Sequence, residues 1–487
     1  MLLHRPFVVA LAFTGAAAAR AEPTRAPASP SAVPAPSAMP APSALPADAT
    51  LSRLIGESLA ARPELSQSEA TIRARKERVP QAGALPDPML QVGIQNDGFT
   101  SLEIGQAETS YVSLMASQTF PWPGKRGLRR GLAALETAQA EQGLARVRLS
   151  TEAEVRRGYL ELLLVRDRLA LLGQLEGIWS KSSGVARTRY EAGDGAQSDV
   201  LRAQLEQNRI RQRRFMLGAE EASRLAALNR LRARPLDEAI ETRATIRGLP
   251  PLGELGGHFS AELALLDSPE LSALRVAAQR AERSVAVAEK EYYPDLTLGA
   301  GLMWRGAMPP MWQLTLGGPL PVYAGSKQSR AVAENQAWAS AAQHEATALE
   351  QLIALRTAER HAVFESLRQS IELYEHGLLV QSQATTESTL AQYEVGKVSF
   401  ASVLEATAGL IADQEGFLES VAAAHRVLIA EAERSLEAPA MPSLGAGSAR
   451  MSSGLAPLPA SPAGPAPSSS AMGAGVGVAP AASAGGM

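Results

Sequence analysis

The chain is written twice. Leu85-Pro86-Asp87-Pro88-Met89-Leu90-Gln91-Val92-Gly93 is answered by Tyr293-Pro294-Asp295-Leu296-Thr297-Leu298-Gly299. Gln118-Thr119-Phe120-Pro121-Trp122-Pro123-Gly124-Lys125-Arg126 is answered by Gly318-Pro319-Leu320-Pro321-Val322-Tyr323-Ala324-Gly325-Ser326-Lys327. Arg189-Tyr190-Glu191-Ala192-Gly193 is answered by Gln392-Tyr393-Glu394-Val395-Gly396, and Asp199-Val200-Leu201 by Ser402-Val403-Leu404. The matches keep their order at an offset of about 200 positions, the mark of a duplicated structural unit. Whatever the first half folds into, the second half must fold into again.

Each copy predicts the same element order. A helix opens it, over Leu51 to Arg78 or Glu270 to Glu291. Two short alternating stretches follow. Met89, Gln91, Gly93 and Gln95 face one way while Leu90, Val92 and Ile94 face the other, a period of two. Tyr111 to Phe120 is the partner, and Leu296 to Trp304 with Trp312 to Leu320 form the second pair. The strands have about the 9–11 residues that cross a bilayer at a tilt; an ordinary soluble hairpin has the same pattern. A Pro-then-Gly turn then leads into a helical stretch of about 66 residues, Gly124 to Tyr190, or roughly 100 Å at 1.5 Å per residue. Ser326 to Gln392 matches it. Gly143, Gly158, Gly173 and Gly177 weigh against an unbroken first helix. In the last helix Leu404, Ile411, Leu418 and His425 recur every seven residues, and Val403, Leu410, Phe417 and Ala424 do so one position earlier. Two adjacent heptad stripes suit a helix with a neighbour on each side. An antiparallel coiled-coil rod would show the same periodicity. The helix after Asp199 has a poorer seam, interrupted by Asn208 and several arginines.

Composition narrows the function. There is no cysteine, which removes disulfides, thiol nucleophiles and Cys-ligated metals. The 47 basic residues nearly balance the 50 acidic ones, so nothing favours nucleic acid as a partner. The sequence has no Gly-x-Ser-x-Gly, P-loop or His-Glu-x-x-His. His344, His361 and His376 have no metal-ligand spacing and read as surface positions. No enzyme, cofactor or metal reading emerges.

Residues 1–21 read as a signal peptide: an apolar stretch from Phe7 to Ala19, then the Ala19-Arg20-Ala21 cleavage pattern. Residues 22–47 are a Pro/Ala/Ser-rich linker, and residues 438–487 a tail of the same kind. Between them lie a first repeat, 48–248 (strand pair about 88–120, long helices 124–232), and a second, 249–437 (strand pair about 295–320, long helices 326–436). The sequence holds no long apolar helical span; Arg166, Asp167 and Arg168 interrupt the most apolar helix. An exported chain of this kind is periplasmic, extracellular, or inserted in an outer membrane through strands. Four strands cannot close a barrel, because the smallest bacterial barrels have eight. If they span, copies must associate, and three copies supply twelve.

With these motifs the chain resembles the TolC-like outer membrane factors, over about Thr50 to Leu436. The carrying features are the duplicated strand-pair-then-helix order and the Tyr-x-x-Gly turns at Tyr190/Gly193 and Tyr393/Gly396, each leading into a Val-Leu helix start. The resemblance implies a mostly helical α+β membrane protein: a homotrimer with a twelve-stranded β-barrel and an α-helical barrel reaching across the periplasm. It implies outer membrane lipid around the strands. It also implies docking onto a periplasmic adaptor and an inner-membrane transporter of the resistance-nodulation-division type. The turns, with Lys397, would form the periplasmic tip and gate. Glu405 matches an acidic gate position; Ser402 stands where an acid is expected. Asp199 takes the corresponding place in the first copy, where a plain helix N-terminal acid is an equal reading. The Phe120-to-Lys125 run resembles members serving heavy-metal cation efflux, leaving metals or drugs as substrates. Trp122, Lys125, Arg126, Trp304, Trp312 and Tyr323 are expected at the membrane interface, with Lys125 and Arg126 towards headgroups. A type I secretion duct shares this fold. A soluble coiled-coil adaptor is the competing class, but it should carry an inserted β-domain, and none is seen in the sequence.

Overall fold

The computed structural model describes residues 48–250 and 259–440. The expected signal peptide, the linker and the tail beyond residue 440 lie outside them. The elements run α1 (Ala49–Ala61), α2 (Pro63–Ala82), β1 (Met89–Gln95), β2 (Tyr111–Phe120), α3 (Lys125–Glu191) and α4 (Gln197–Leu231). The second half repeats the order as α5 (Ala261–Asp267), α6 (Pro269–Lys290), β3 (Leu296–Arg305), β4 (Met308–Gly317), α7 (Gln328–Leu373), a π turn (Tyr374–Leu378), α8 (Leu379–Glu394) and α9 (Phe400–Glu433).

The single opening helix expected over Leu51 to Arg78 is two, while the one expected over Glu270 to Glu291 is α6, with the short α5 before it. Pro63 and Pro269 each sit at the first position of a new helix, where a missing N–H costs nothing, and the residue before each is extended. α3 is helical over 67 residues through all of its glycines. Its second-copy counterpart also runs from Gln328 to Glu394, so both ends fall 203 positions after Lys125 and Glu191, but it contains the π turn.

The four strands form one antiparallel sheet in chain order, and β2 pairs with β3 across the two copies. β4 begins at Met308, earlier than the expected Trp312. A tight turn at Gly306 (φ 59°) sends the chain straight back, and Gly318-Pro319 ends the strand before Leu320. Register keeps like faces together. Val92 opposes Leu114, Leu114 opposes Leu302, and Leu302 opposes Trp312, while on the other face Gly93 opposes Ser113 and Gly299 opposes Thr315. One face is therefore apolar but for Gln118, and the other mixes Gly, Ser, Thr and Gln with Met115, Met303 and Met311. Leu90, Val92, Ile94, Leu314 and Leu316 are all more than 60% exposed.

The main core lies halfway along α3. Val155, Leu160, Leu163, Leu164 and Leu175 pack with Leu54 of α1, Leu228 of α4, Phe364 and Leu367 of α7, and Phe417, Leu418 and Ile429 of α9. Both expected stripes of α9 are covered: it packs on α3, α7 and α8, with Val403, Leu410, Ala424 and His425 buried. The charges interrupting the apolar stretch of α3 each find a partner. Arg166 binds Glu221 (2.7 Å), Asp167 accepts the Ile246 N–H (2.7 Å), and Arg168 meets Glu419 (2.6 Å). Arg360, 1% exposed, is held by Glu431 and the Ser435 carbonyl at 2.7 and 2.6 Å. Among the described residues, no helix is long and apolar enough to cross a membrane.

Candidate functional site

The two Tyr-x-x-Gly motifs make the same turn atom for atom. Asp194 N–H bonds the Arg189 carbonyl (2.9 Å) and Gly193 N–H the Tyr190 carbonyl (3.1 Å). Lys397 N–H bonds the Gln392 carbonyl (2.8 Å) and Gly396 N–H the Tyr393 carbonyl (3.0 Å). These are paired 6→1 and 5→2 bonds of the Schellman type, which satisfy the last helical carbonyls. They require a left-handed residue after the helix, and Gly193 (φ 83°) and Gly396 (φ 76°) supply it without a Cβ penalty.

The turns then diverge. Tyr393 is 2% exposed, while Tyr190 is 46% exposed. Tyr393 packs on Phe400 (5.4 Å between centroids), which in turn meets Trp179 edge-on. The Arg189 guanidinium lies 4.9 Å over the Tyr393 ring and donates to the Tyr393 carbonyl (2.6 Å) and the Asp194 carbonyl (3.1 Å). The Tyr393 hydroxyl donates to Asp199 (3.3 Å). Burial first, then the charge and hydrogen bond of Asp199, push the Tyr393 phenol up to about 12, against the pull of Arg189. A cation thus sits at two helix C-termini and an anion in the first turn of α4, both favourable to the helix dipoles. Asp199 is at once a helix-start acid and the acceptor that ties the copies together. Ser402 at the matching place meets only Ser399 (3.3 Å), and Glu405 is exposed on α9. Arg189 went unnoticed in the sequence. The signal was the difference between the copies, Arg189 against Gln392, inside an otherwise matched motif.

At the other end, the junction between sheet and helices is also tied across the copies. Trp122 stacks on Tyr293 (5.1 Å, 16° between planes), and its backbone N–H donates to the Asp295 carboxylate (2.9 Å). Lys125 does not face outwards as expected. It is 2% exposed, between Asp295 (2.9 Å) and Glu291 (3.2 Å), because the second copy brings both carboxylates beneath it. Burial works to raise the Asp295 carboxyl, but the Trp122 N–H and Lys125 together hold it below its usual value. Arg126 turns to the Gly83 carbonyl (2.8 Å). Tyr323 is exposed at the same end of the sheet, and Trp304 and Trp312 are exposed at the far end. Leu296 to Trp304 spans roughly 26 Å at about 3.3 Å per residue, close to the height of an apolar barrel band. No group of metal-ligating side chains is found among the described residues.

The model of the family described as "Outer membrane efflux protein" matches residues 54–234 and 261–433, one stretch in each copy. The cobalt-zinc-cadmium resistance protein CzcC of Cupriavidus metallidurans is 26% identical over 259 residues; the match takes in 52% of this chain and 57% of that relative's length. Among solved structures, CusC superposes with a TM-score of 0.68 at 17% identity, covering 80% of this chain and 92% of CusC. VceC of Vibrio cholerae gives 0.64 at 18% identity, covering 79% and 96%. The outer-membrane channel OprN gives 0.65 at 17% identity, covering 79% and 90%. Matched through both copies, the chain belongs to the outer membrane efflux protein family, the TolC-like outer membrane factors, which are channels of the outer membrane with a periplasmic extension and not enzymes.

Proposed function

We propose that three copies of this chain form an outer membrane efflux duct. The observation that carries this is the sheet: one face apolar but for Gln118, the other a mix of Gly, Ser, Thr, Gln and Met, and the outer edges of β1 and β4 unpaired. In lipid such a sheet is stable only when closed, and three copies close it with twelve strands. The face that carries the glycines, serines and threonines then lines a water-filled passage. The long helices continue it through the periplasm to the paired turns, where the Arg189–Tyr393–Asp199 clasp holds the mouth narrow. The duct conducts passively. An inner-membrane transporter, of the resistance-nodulation-division type, drives export through a periplasmic adaptor that meets the turns. Heavy-metal cations are the proposed substrate class, on the likeness to CzcC and the Phe120-to-Lys125 run.

Fractionation tests the assembly: the mature chain should be recovered in outer membranes as a heat-modifiable trimer. Recovery as a soluble periplasmic monomer would overturn the reading. Cysteine at Lys397, introduced into this Cys-free chain, should crosslink to a periplasmic adaptor and stay unlabelled from outside intact cells.

A further inference from the structure

The repeat that shapes each chain also specifies how two chains can meet. Asp295 follows Asp87 by 208 positions, and Pro321 follows Pro121 by 200. These two offsets carry one hairpin onto the other in register. Met89 pairs with Ser117, and the residues so displaced, Thr297 and Gly317, pair in turn. Within a chain the hairpins join where β2 meets β3, with Leu114 opposite Leu302, Ala116 opposite Ala300 and Ser113 opposite Met303. β4 and β1 are the equivalents of those two strands, and their outer edges are unpaired. A joint between chains that repeats the joint within one takes its register from the same offsets. Leu314 then opposes Ile94, Leu316 opposes Val92, and Gln313 opposes Gln95. Apolar meets apolar and amide meets amide, as a correct register requires. Leu314, Ile94, Leu316 and Val92 are each more than 60% exposed in the single chain.

The junction beneath the sheet carries over as well. Inside the chain, Asp295 accepts the Trp122 backbone N–H and the Lys125 ammonium, and Trp122 stacks on Tyr293. By the same offsets Asp295 becomes Asp87, Tyr293 becomes Leu85 and Trp122 becomes Val322. The turn into α7 is longer by three residues, and its cation is Lys327, directly before the helix. Asp87 and Lys327 are exposed, and neither side chain has a hydrogen bond or ion pair among the described residues. The Val322 N–H reaches only the Leu320 carbonyl two residues back (2.9 Å), a γ-turn bond. Leu85 is 42% and Val322 75% exposed. Groups that are satisfied at the inner joint are thus left over on opposite edges of the chain, an acceptor on one and donors on the other.

We infer that Asp87 of one copy receives Lys327 and the Val322 N–H of a second copy, beneath a β4–β1 seam that pairs Leu314 with Ile94. Gly83 stands where Glu291 would, so the seam is held by one carboxylate where the inner joint has two. The inference rests on the proposed three-chain duct.

The Cys-free chain lets the register be read directly. Ile94→Cys with Leu314→Cys should give covalently linked chains when outer membranes are oxidised, because directly opposed Cα atoms lie about 4.5–5.5 Å apart, within disulfide reach. Leu90→Cys with Leu314→Cys displaces the pair by four residues, about 13 Å, and should stay unlinked. For the junction, Asp87→Lys and Lys327→Asp should each lower the temperature at which the heat-modifiable trimer dissociates, by several degrees. The double exchange should restore most of that loss, a coupling that two unrelated surface charges would lack. If the parent forms a trimer but the Leu90 pair links in place of the Ile94 pair, or the exchange restores nothing, the inference is wrong and the duct stands. If the parent yields no trimer, the duct reading falls and the seam with it.

Discussion

Arg189→Ala is the most informative single substitution at the tip. The guanidinium makes two charge-assisted bonds to helix-terminal carbonyls, at 2.6 and 3.1 Å, and covers the Tyr393 ring at 4.9 Å. Bonds of this kind contribute about 1.5–3 kcal/mol each when sheltered, and a half-exposed cation–π contact about 0.5–1 kcal/mol. The side chain is only half-buried and its acceptors are at the surface, so screening reduces the total to about 2 kcal/mol per chain, or roughly thirtyfold. If three copies must release together, the contributions add to about 6 kcal/mol, enough to change a mostly closed mouth into a mostly open one. Single-channel recordings in planar bilayers should show a long-lived conducting state in Arg189→Ala. Arg189→Lys keeps a charge but not the planar fork, and should restore closure only in part. Helix content should be unchanged and the loss of thermal stability small, because Tyr393 and Phe400 stay packed in the core that continues along α3 and α9. Recordings indistinguishable from the parent, with the fold intact, would refute the clasp as the closing element.

The Tyr393 phenol should titrate near 12 by phenolate absorbance, and Asp199→Asn should bring it towards its usual value near 10. Because the folded value is raised, its contribution is fully present below about 10 and is lost as pH climbs towards 12; closure should weaken over that window and not at acid pH. Glu405→Gln should lower cation preference at low ionic strength, more so combined with Asp199→Asn; unchanged reversal potentials would make Glu405 a plain surface acid. Lys125→Met should destabilise the sheet–helix junction by about 1–3 kcal/mol by leaving Asp295 without its cation, read as a lower unfolding temperature of the detergent-solubilised protein. Since Asp295 is held low, that loss should be present from neutral pH down to its usual range near 3.8 and should vanish as the pH falls through its lowered value.

Most of the architecture was legible because it was written in periodicities. Alternation at Met89–Gln95 identified the strand faces, and two heptad stripes in α9 foretold its several neighbours. The Tyr-x-x-Gly repeats marked turns whose hydrogen bonds explain that spacing. What escaped was whatever depended on contact between distant segments. Lys125 read as a headgroup cation because Asp295 and Glu291 lie a whole repeat away in sequence. Arg189 was passed over because its partner is a backbone carbonyl, which no side-chain motif announces. The π turn left no mark in a sequence whose helical composition continues on both sides of it. The break before Pro63 was legible in principle, since proline restrains its predecessor, but continuous helical composition on both sides masked it.

The unpaired edges of β1 and β4 set how the stability of this protein must be measured. A closed sheet saturates its hydrogen bonds through neighbouring chains, so part of the free energy that holds each sheet is association free energy. By mass action, the unfolding temperature should rise with protein concentration in detergent, and dilution should loosen strands before helices. The core along α3 is made within one chain and should be indifferent to dilution. One polypeptide therefore carries two kinds of stability, a helical part that belongs to each molecule and a sheet that belongs to the population. Before insertion, bare edges and an apolar face travel together, which makes this segment the most aggregation-prone part of a newly exported chain.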